Sequence, residues 1–280
     1  MIGKTSRITL ADGVTTRLFD SGGTGVPIIL IHGLAASIEI WEKVIPGLAA
    51  KHRVIAFDLP GFGEADKPDA PYDAPYFVRQ LKALMDALDI PKAHLVGSSL
   101  GGSLIVRFSE AHQDRIASAT LAAPGGFGAG VHFFLRIPTL PVIGYMMAMP
   151  SKPVNAFAVQ LAMANKVNAT RELINMADRY SKLPGGHRAF YRTLNAVIGP
   201  TGVKDRDSFE AQAANLKVPT TLLWGEGDKL FSVKQSERAS QLIPHAKLVR
   251  LPSCGHYPQW EKPQALVDAV QAQTSVRATT

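Results

Sequence analysis

Apolar residues along the chain form short, nearly continuous runs, separated by longer segments in which they recur at helical spacing. Such runs are typical of strands buried on both faces. They occupy residues 26–31, 54–57, 93–96, 116–123 and 218–224. Helical periodicity is clearest between two of them, in residues 74–88. Because alternating buried strands and helices require a parallel sheet covered on both faces, we predict an α/β fold.

The amino-terminal region adds a hairpin and a further helix to this pattern. Segments 6–10 and 16–19 mix apolar and polar residues in a strand-like way. They flank an Asp-Gly pair at 12–13, which is a hairpin signal. Apolar residues at helical spacing predict one helix over residues 40–48, with Ser37 near its N-cap.

The alternation is interrupted between residues 127 and 214, where mostly helical apolar segments are broken by several prolines. We therefore predict a core formed by residues 1–126 and 215–280, with residues 127–214 inserted as a helical unit. A length of 280 residues suits one large domain with an insertion better than two full domains. The early insert is rich in large apolar residues: Phe133, Phe134, Met146, Met147, Met149 and Phe157. We expect most of these to pack inside the insert and some to line a pocket for a substrate with an apolar part.

Composition and charge restrict the partners that we expect, but they add little to the prediction of the fold. The formal net charge is +7, but the lysines and arginines are scattered, so no nucleic-acid partner is expected. Cys254 is the only cysteine, which excludes an internal disulfide. The amino terminus lacks the apolar core of a signal peptide, and Arg136 and prolines interrupt the apolar stretch 133–150. We expect a cytoplasmic protein without stable membrane association; its oligomeric state stays open.

Residues 97–101, Gly-Ser-Ser-Leu-Gly, contain the strongest candidate for a nucleophile. They follow a buried strand and precede a helical pattern, which is the context of a nucleophile elbow. The serine at such a corner has a strained backbone, so bulky residues two positions away on either side would collide with it. Only Ser99 has glycine at both offsets, Gly97 and Gly101, whereas Ser98 would have Val96 and Leu100. Ser99 is therefore the predicted nucleophile.

A serine nucleophile needs a base to remove its proton and an acid that holds the base in one tautomer. Asp228 and His256 each follow a predicted strand, and the order Ser99, Asp228, His256 matches the elbow template. The carboxyl ends of parallel strands converge at one sheet edge, so these three side chains are expected to meet there. Glu226 is the nearest rival for the acid. No group of histidine, cysteine or acidic residues has metal-ligand spacing, so neither a metal nor a cofactor is expected.

Together these motifs resemble the α/β-hydrolase superfamily from about residue 26 to the last helix. The matching segments are His-Gly at 32–33, Asp-x-Pro-Gly-x-Gly at 58–63, Gly-x-Ser-x-Gly at 97–101, Gly-x-Gly-Asp at 225–228 and Gly-His at 255–256. The resemblance implies a mostly parallel eight-stranded sheet flanked by helices, with the insert as a helical cap after the sixth strand. It also implies an oxyanion hole formed by the backbone N–H groups of Leu34 and Leu100. By the same resemblance, His32 would brace its own loop.

Within that superfamily the leading expectation is a carboxylesterase that forms an acyl-enzyme intermediate on short- to medium-chain, partly apolar esters. Serine at the elbow argues against the dehalogenases and epoxide hydrolases, which use aspartate there. The alternative is a carbon–carbon hydrolase of ring-fission products, which the segment 124–128 resembles. Three departures count against that branch: Ser98, Tyr257 and the segment 34–36. A third possibility is a small-ligand receptor that retains the triad. For the enzyme, the partners would be a small ester and water.

Overall fold

The computed structural model describes residues 2–275, so Met1 and residues 276–280 of the predicted core lie outside the described part. Ten strands are present in it. Their bounds are β1 Thr5–Thr9, β2 Thr15–Asp20, β3 Ile28–Ile31, β4 Val54–Phe57, β5 Ala93–Ser98, β6 Ile116–Ala122, β7 Ile198–Gly199, β8 Gly202–Val203, β9 Thr220–Gly225 and β10 Lys247–Leu251. All the strands predicted from apolar runs are found within one or two residues of the expected bounds.

Eight of these strands form one sheet in the order β1-β2-β4-β3-β5-β6-β9-β10. Strand β2 pairs antiparallel with β1 and with β4, as the predicted hairpin requires. The remaining neighbours are all parallel. The predicted fold class, a mostly parallel eight-stranded α/β sheet, is confirmed. The central strands β3, β4, β5, β6 and β9 are buried along their whole length, which explains their uninterrupted apolar sequences.

Six helices accompany this sheet: α1 Ile45–Ala49, α2 Ala74–Ala87, α3 Leu100–His112, α10 Lys234–Leu242, α11 Pro258–Glu261 and α12 Pro263–Ser275. The prediction of a single helix over 40–48 is wrong, because a 3₁₀ turn at Ile38–Trp41 precedes a separate α1. Pro46 lacks the N–H that a continuous helix would need at that position. Ser37 does not cap the turn; its hydroxyl donates to Glu39 Oε2 at 2.6 Å.

Apolar side chains on opposite faces of the sheet enter two separate clusters. Ile29 of β3 packs into a cluster on one face that includes Phe108 of α3. Leu30 points to the other face, where its cluster includes Trp41 and Val267 of α12. The sheet is thus covered by helices on both sides, as the parallel topology demands.

Between β6 and β9 the chain forms six helices and the short antiparallel β7–β8 pair. The helices are α4 Phe133–Arg136, α5 Gly144–Met147, α6 Lys152–Ala162, α7 Arg171–Ser181, α8 Gly186–Val197 and α9 Arg206–Ala214. Residues 127–214 are called the insert below, and their exact boundaries with the core stay a prediction. Within residues 2–275, no helix combines the length and apolar character needed to cross a bilayer.

A buried charge network joins the amino-terminal hairpin, the loop after β3, the loop after β4 and the insert. Arg17 donates from Nε to Asp58 Oδ2 at 2.8 Å and from its two terminal nitrogens to both oxygens of Glu39, at 2.8 and 2.9 Å. The hydroxyl of Tyr180, on α7, donates to Glu39 Oε1 at 2.8 Å. Burial lowers the pKa of Arg17, but the two carboxylates outweigh burial and raise it above its ordinary value.

Asp58 is the most deeply buried carboxylate of this network, which leads to a stability prediction. It is fully buried, and it accepts the backbone N–H groups of Ile38 and Glu64 in addition to Arg17. Asp58→Ala should lower the free energy of unfolding in urea by about 3 kcal/mol or more, because it leaves these donors buried without an acceptor. Asp207→Ala is the control, since that side chain is 93% exposed. Equal losses in both variants would contradict the buried network's role.

Candidate active site

Ser99 occupies the sharp corner between β5 and α3. Its backbone has φ 54° and ψ −117°, a conformation that residues other than glycine rarely adopt. Its N–H donates to Ala122 O of the adjacent strand β6 at 2.9 Å, and Ser103 N–H donates to Ser99 O at 3.0 Å. These bonds hold the strained residue in place, with its side chain at the carboxyl edge of the sheet. The corner has the geometry expected of a nucleophile elbow.

The glycines around this corner are needed for a different contact from the one expected. A Cβ on Gly97 would collide with the backbone of Gly101, and a Cβ on Gly101 would collide with the carbonyl of Ile31. The steric conflict is therefore between the incoming strand, the outgoing helix and β3, and not with Ser99 itself. Gly33 makes the closest approach to the serine, since a Cβ there would lie 3.1 Å from Ser99 Cβ.

The predicted base and acid contact each other beyond the carboxyl ends of β9 and β10. His256 follows β10, and its Nδ1 lies 2.8 Å from Asp228 Oδ2, just beyond β9. The other oxygen of Asp228 accepts the backbone N–H groups of Leu230 and Phe231, at 2.8 and 3.0 Å. The rival Glu226 is exposed. The structure thus brings His256 together with Asp228, whose carboxylate is fixed for holding the imidazole in one orientation.

Ser99 and His256 line the same cavity, which has a volume of about 460 Å³. Both are largely buried, with 9% and 2% of their surfaces exposed. In the described part of the chain the Ser99 hydroxyl makes no hydrogen bond, so it is not yet engaged with the imidazole. Catalytic hydrogen bonds of this type often tighten only when substrate is bound.

Two backbone N–H groups next to Ser99 lack an acceptor among the described residues. They belong to Leu34, in the loop after β3, and to Leu100, the first residue of α3. Both residues line the cavity. Free N–H groups at a helix amino terminus attract negative charge, so this pair is suited to a developing oxyanion.

His32 braces the loop that carries Leu34. Its Nε2 accepts the N–H of Leu59 at 2.9 Å, so Nδ1 carries the proton and donates to Gly33 O at 2.7 Å. Complete burial lowers the pKa of His32, which keeps the ring neutral. Among residues 2–275 there is no cluster of three or more histidine, cysteine, aspartate or glutamate side chains arranged to hold a metal ion.

The insert covers the cavity with apolar side chains, among them Phe134, Met147 and Met149. The expectation that the early apolar residues would mainly pack inside the insert is wrong. Phe133 and Phe157 do not line the cavity and are exposed, at 62% and 47%. Phe157 contacts only one aromatic neighbour, Phe134, with ring centroids 5.0 Å apart, so that contact leaves much of its surface exposed.

Sequence reasoning missed Glu261, which positions the loop of His256. Its carboxylate accepts the N–H of Gly255 at 2.6 Å and that of Ala164, in the insert, at 3.1 Å. The N–H of His256 in turn donates to Ala162 O at 2.6 Å. No local pattern marks Glu261, because its link to the insert is made with Ala164, 97 residues away in the chain. Burial raises the pKa of the neighbouring Cys254 thiol to about 12, consistent with a packing role.

Two cations at the cavity were also missed. Arg107 of the core and Lys204, near the end of the insert, both line it, whereas Arg136 and Lys152 do not. Arg107 lies on α3, two turns beyond Ser99 and one beyond Ser103, so all three share one helix face. Its guanidinium donates to Gln212 Oε1 at 2.9 Å.

Known proteins that resemble this chain in sequence and in structure share the fold described above. Residues 26–263 match the family model described as the alpha/beta hydrolase fold. The 2-hydroxymuconate semialdehyde hydrolase of Pseudomonas sp. strain CF600 is 31% identical over 261 residues, covering 91% of this chain and 88% of that protein. The 2-hydroxy-6-oxo-2,4-heptadienoate hydrolase of Pseudomonas putida F1 is 29% identical, covering 94% of both. A solved meta-cleavage product hydrolase from Pseudomonas fluorescens IP01 superposes with a TM-score of 0.80 at 28% identity, covering 98% of both.

The buried neutral state of His32 predicts a specific pH dependence of stability. Above pH of about 6.5 the ring is neutral in both folded and unfolded chains; below it only the unfolded chain takes up a proton. The free energy of unfolding should therefore decrease as the pH is lowered below about 6.5. This group contributes a decrease of up to about 1.4 kcal/mol per pH unit. The free energy of unfolding is measured in urea for the wild type and for His32→Gln between pH 8 and 5, roughly the range around the histidine pKa. The difference between the two curves isolates the contribution of His32. His245→Gln, at an exposed site, should show no such difference; parallel curves for wild type and His32→Gln would refute the prediction.

Proposed function

This chain belongs to the alpha/beta hydrolase family, and on that premise we propose that it is a serine hydrolase with Ser99 as nucleophile. His256 acts as general base and Asp228 as the acid that orients it. The backbone N–H groups of Leu34 and Leu100 form the oxyanion hole. The observation that carries the proposal is the 2.8 Å contact between His256 and Asp228 at the sheet edge where the strained Ser99 enters the cavity.

In the proposed reaction, Ser99 Oγ forms a bond to a substrate carbonyl carbon while His256 Nε2 takes the hydroxyl proton. The carbonyl oxygen becomes an oxyanion held by the two N–H groups. Collapse of this intermediate breaks the bond to the leaving group, which takes up the proton from His256. Water then attacks the acyl-serine by the same steps and releases the acid product, which restores Ser99.

We further propose that the bond broken is a carbon–carbon bond of a ring-fission dienone. The single supporting observation is the near full-length similarity, at 28–31% identity, to proteins named as hydrolases of such compounds. The relatives thus favour the alternative over the leading expectation of an ester. Carbon–carbon cleavage requires the dienol substrate to become a ketone first, because only then does the departing carbon leave as a stabilised dienolate. The departing dienolate would then take up the proton that His256 received from Ser99.

The cations Arg107 and Lys204 are consistent with such a substrate, since ring-fission products carry a carboxylate and spread negative charge. The sequence-based argument against the dienone considered only cations of the early and middle insert; folding instead supplies one cation from α3 and one from the β8 region. Ester hydrolysis remains a second candidate because the rest of the cavity lining is largely apolar, as shown by Leu173, Met176 and Phe190. An apolar lining of this kind suits an acyl chain.

Replacing the proposed acid should separate it from its rival. Asp228→Asn should lower kcat by about 10³- to 10⁴-fold, because His256 loses the carboxylate that fixes its tautomer. Glu226→Gln should change kcat by less than about twofold, since Glu226 is exposed. Initial rates on the best substrate measure both effects. If the Glu226 variant were the more damaged, the assignment of the acid would be wrong.

A substrate panel distinguishes the two reactions. We expect a ring-fission dienone to give a higher kcat/KM than any member of a series of p-nitrophenyl esters of increasing acyl length. Arg107→Gln should raise KM for the dienone by about tenfold or more while leaving a neutral ester within about twofold, because only the dienone carries an anionic group to bind. Ser99→Ala should abolish turnover of both classes, with a loss of about 10⁴-fold or more.

The controls decide between the candidates. Ester turnover well above dienone turnover, unaffected by Arg107→Gln, would reverse the order in favour of a carboxylesterase. Binding without multiple turnover of either class would favour the small-ligand receptor. A sulfonyl fluoride should label the wild type once and leave Ser99→Ala unlabelled; labelling of Ser98 would overturn the nucleophile assignment.

A further inference from the structure

Large apolar side chains that face solvent are concentrated in one part of the insert. Of the twelve exposed large apolar residues in the described chain, ten lie between residues 133 and 157. Val142, Met146 and Phe133 are the most exposed of these ten, at 97%, 66% and 62%. The solvent-exposed large apolar side chains of residues 133–157 are called the apolar face below. Contiguous exposure of this kind marks an interaction surface more often than an ordinary solvated one.

The tip of the apolar face is a tight turn that holds its side chains outward. Val142 has φ 68°, an outlier for a β-branched residue. The turn is closed by hydrogen bonds from Gly144 N–H to Leu140 O at 2.9 Å and from Ile143 N–H to Pro141 O at 2.8 Å. These hydrogen bonds hold the backbone in the strained conformation in which the Val142 side chain is 97% exposed.

The apolar face is continuous with the mouth of the cavity. Met147, Met149 and Val154 line the cavity and are also 49%, 57% and 41% exposed. The same side chains therefore contact both the interior of the site and the surroundings of the protein. Whatever covers the apolar face also lies against the opening that leads to Ser99.

The segment that forms this face carries only cationic charged side chains, and Asp178 of the packed helix α7 lies close enough to Lys152 to interact with it electrostatically. No aspartate or glutamate occurs between Asp114 and Glu172, whereas Arg136, Lys152 and Lys166 lie within or beside the apolar segment. An apolar surface with cationic flanks complements a lipid surface that carries anionic headgroups. A second copy of this chain is a poorer match, because a symmetric contact would bring cations of the same kind together.

We propose that the apolar face docks reversibly on an anionic lipid surface, with Val142 and Met146 entering the boundary between headgroups and acyl chains. Docking sets the mouth of the cavity against the lipid surface. The proposal departs from the expectation of no stable membrane association, in that it assigns a reversible peripheral contact. It does not depend on which bond the enzyme cleaves.

Co-sedimentation of the full chain with vesicles tests this surface. Wild type should bind vesicles of phosphatidylglycerol and phosphatidylcholine and bind pure phosphatidylcholine vesicles far less, and added salt should release it. The double variant Val142→Ser/Met146→Ser should lose about tenfold or more of its vesicle affinity. Lys152→Glu should lose about as much on the anionic vesicles only.

Val26→Ser is the matched control, since Val26 is 45% exposed but lies just before β3, at the sheet edge opposite the site. It should bind vesicles like wild type, and urea unfolding should show that all variants are folded. Equal vesicle binding by wild type and the double variant, or no binding by wild type, would overturn the proposal. Concentration-dependent dimers in light scattering that the double variant abolishes, without vesicle binding, would assign the face to a second copy instead.

Discussion

The approach of three backbone segments at Ser99 is the constraint on which the site depends. Strand β5 enters the corner, α3 leaves it, and β3 passes beside it so closely that Gly97 and Gly101 admit no side chain. Strain at a residue in this conformation costs of order 1–3 kcal/mol and persists only where the surroundings fix it. Here the surroundings are fully buried parallel strands, which tolerate little displacement. The same crowding presents the serine hydroxyl to the cavity and leaves the N–H of Leu100 without an acceptor.

Two of the polar contacts between the insert and the core also hold loops next to the cavity. Tyr180 donates to Glu39, which is held by the buried Arg17, and Glu39 lies in the segment that follows the loop of Leu34. In the other contact, Glu261 binds both the insert and the loop of His256. Each attachment thus also braces a loop that carries a proposed catalytic group. These contacts hold α7 and the end of α6, whereas most of the apolar face lies on the chain before α6.

Sequence patterns predict this molecule well where a local rule decides the outcome. Buried strands required continuous apolar runs, and the corner at Ser99 required its glycines, so both were found from neighbouring residues alone. Pro46 shows how one residue can override helical periodicity. Glu261 and Arg107 could not be assigned, because their roles arise from contacts with segments about 100 residues away. The exposure of the apolar face was also hidden, since composition alone does not reveal whether an apolar segment finds a partner to pack against.

The helix α3 relates the two halves of the proposed reaction. In that proposal its first N–H, at Leu100, would face the developing oxyanion. Arg107 lies on the face shared with Ser99, eight residues from it, or about 12 Å along the axis. Helix α3 fixes the backbone separation, and Gln212 and Asp205 of the insert hold the guanidinium. An anionic end group bound by the arginine would therefore place the reacting carbonyl at a defined distance, which is how binding energy remote from the reacting bond assists catalysis. A neutral ester of any acyl length gains nothing from that distance. In the proposed reaction, sensitivity to substrate length and charge would thus arise from α3 together with the insert residues that hold Arg107, and the apolar lining would determine how well the remaining chain fits.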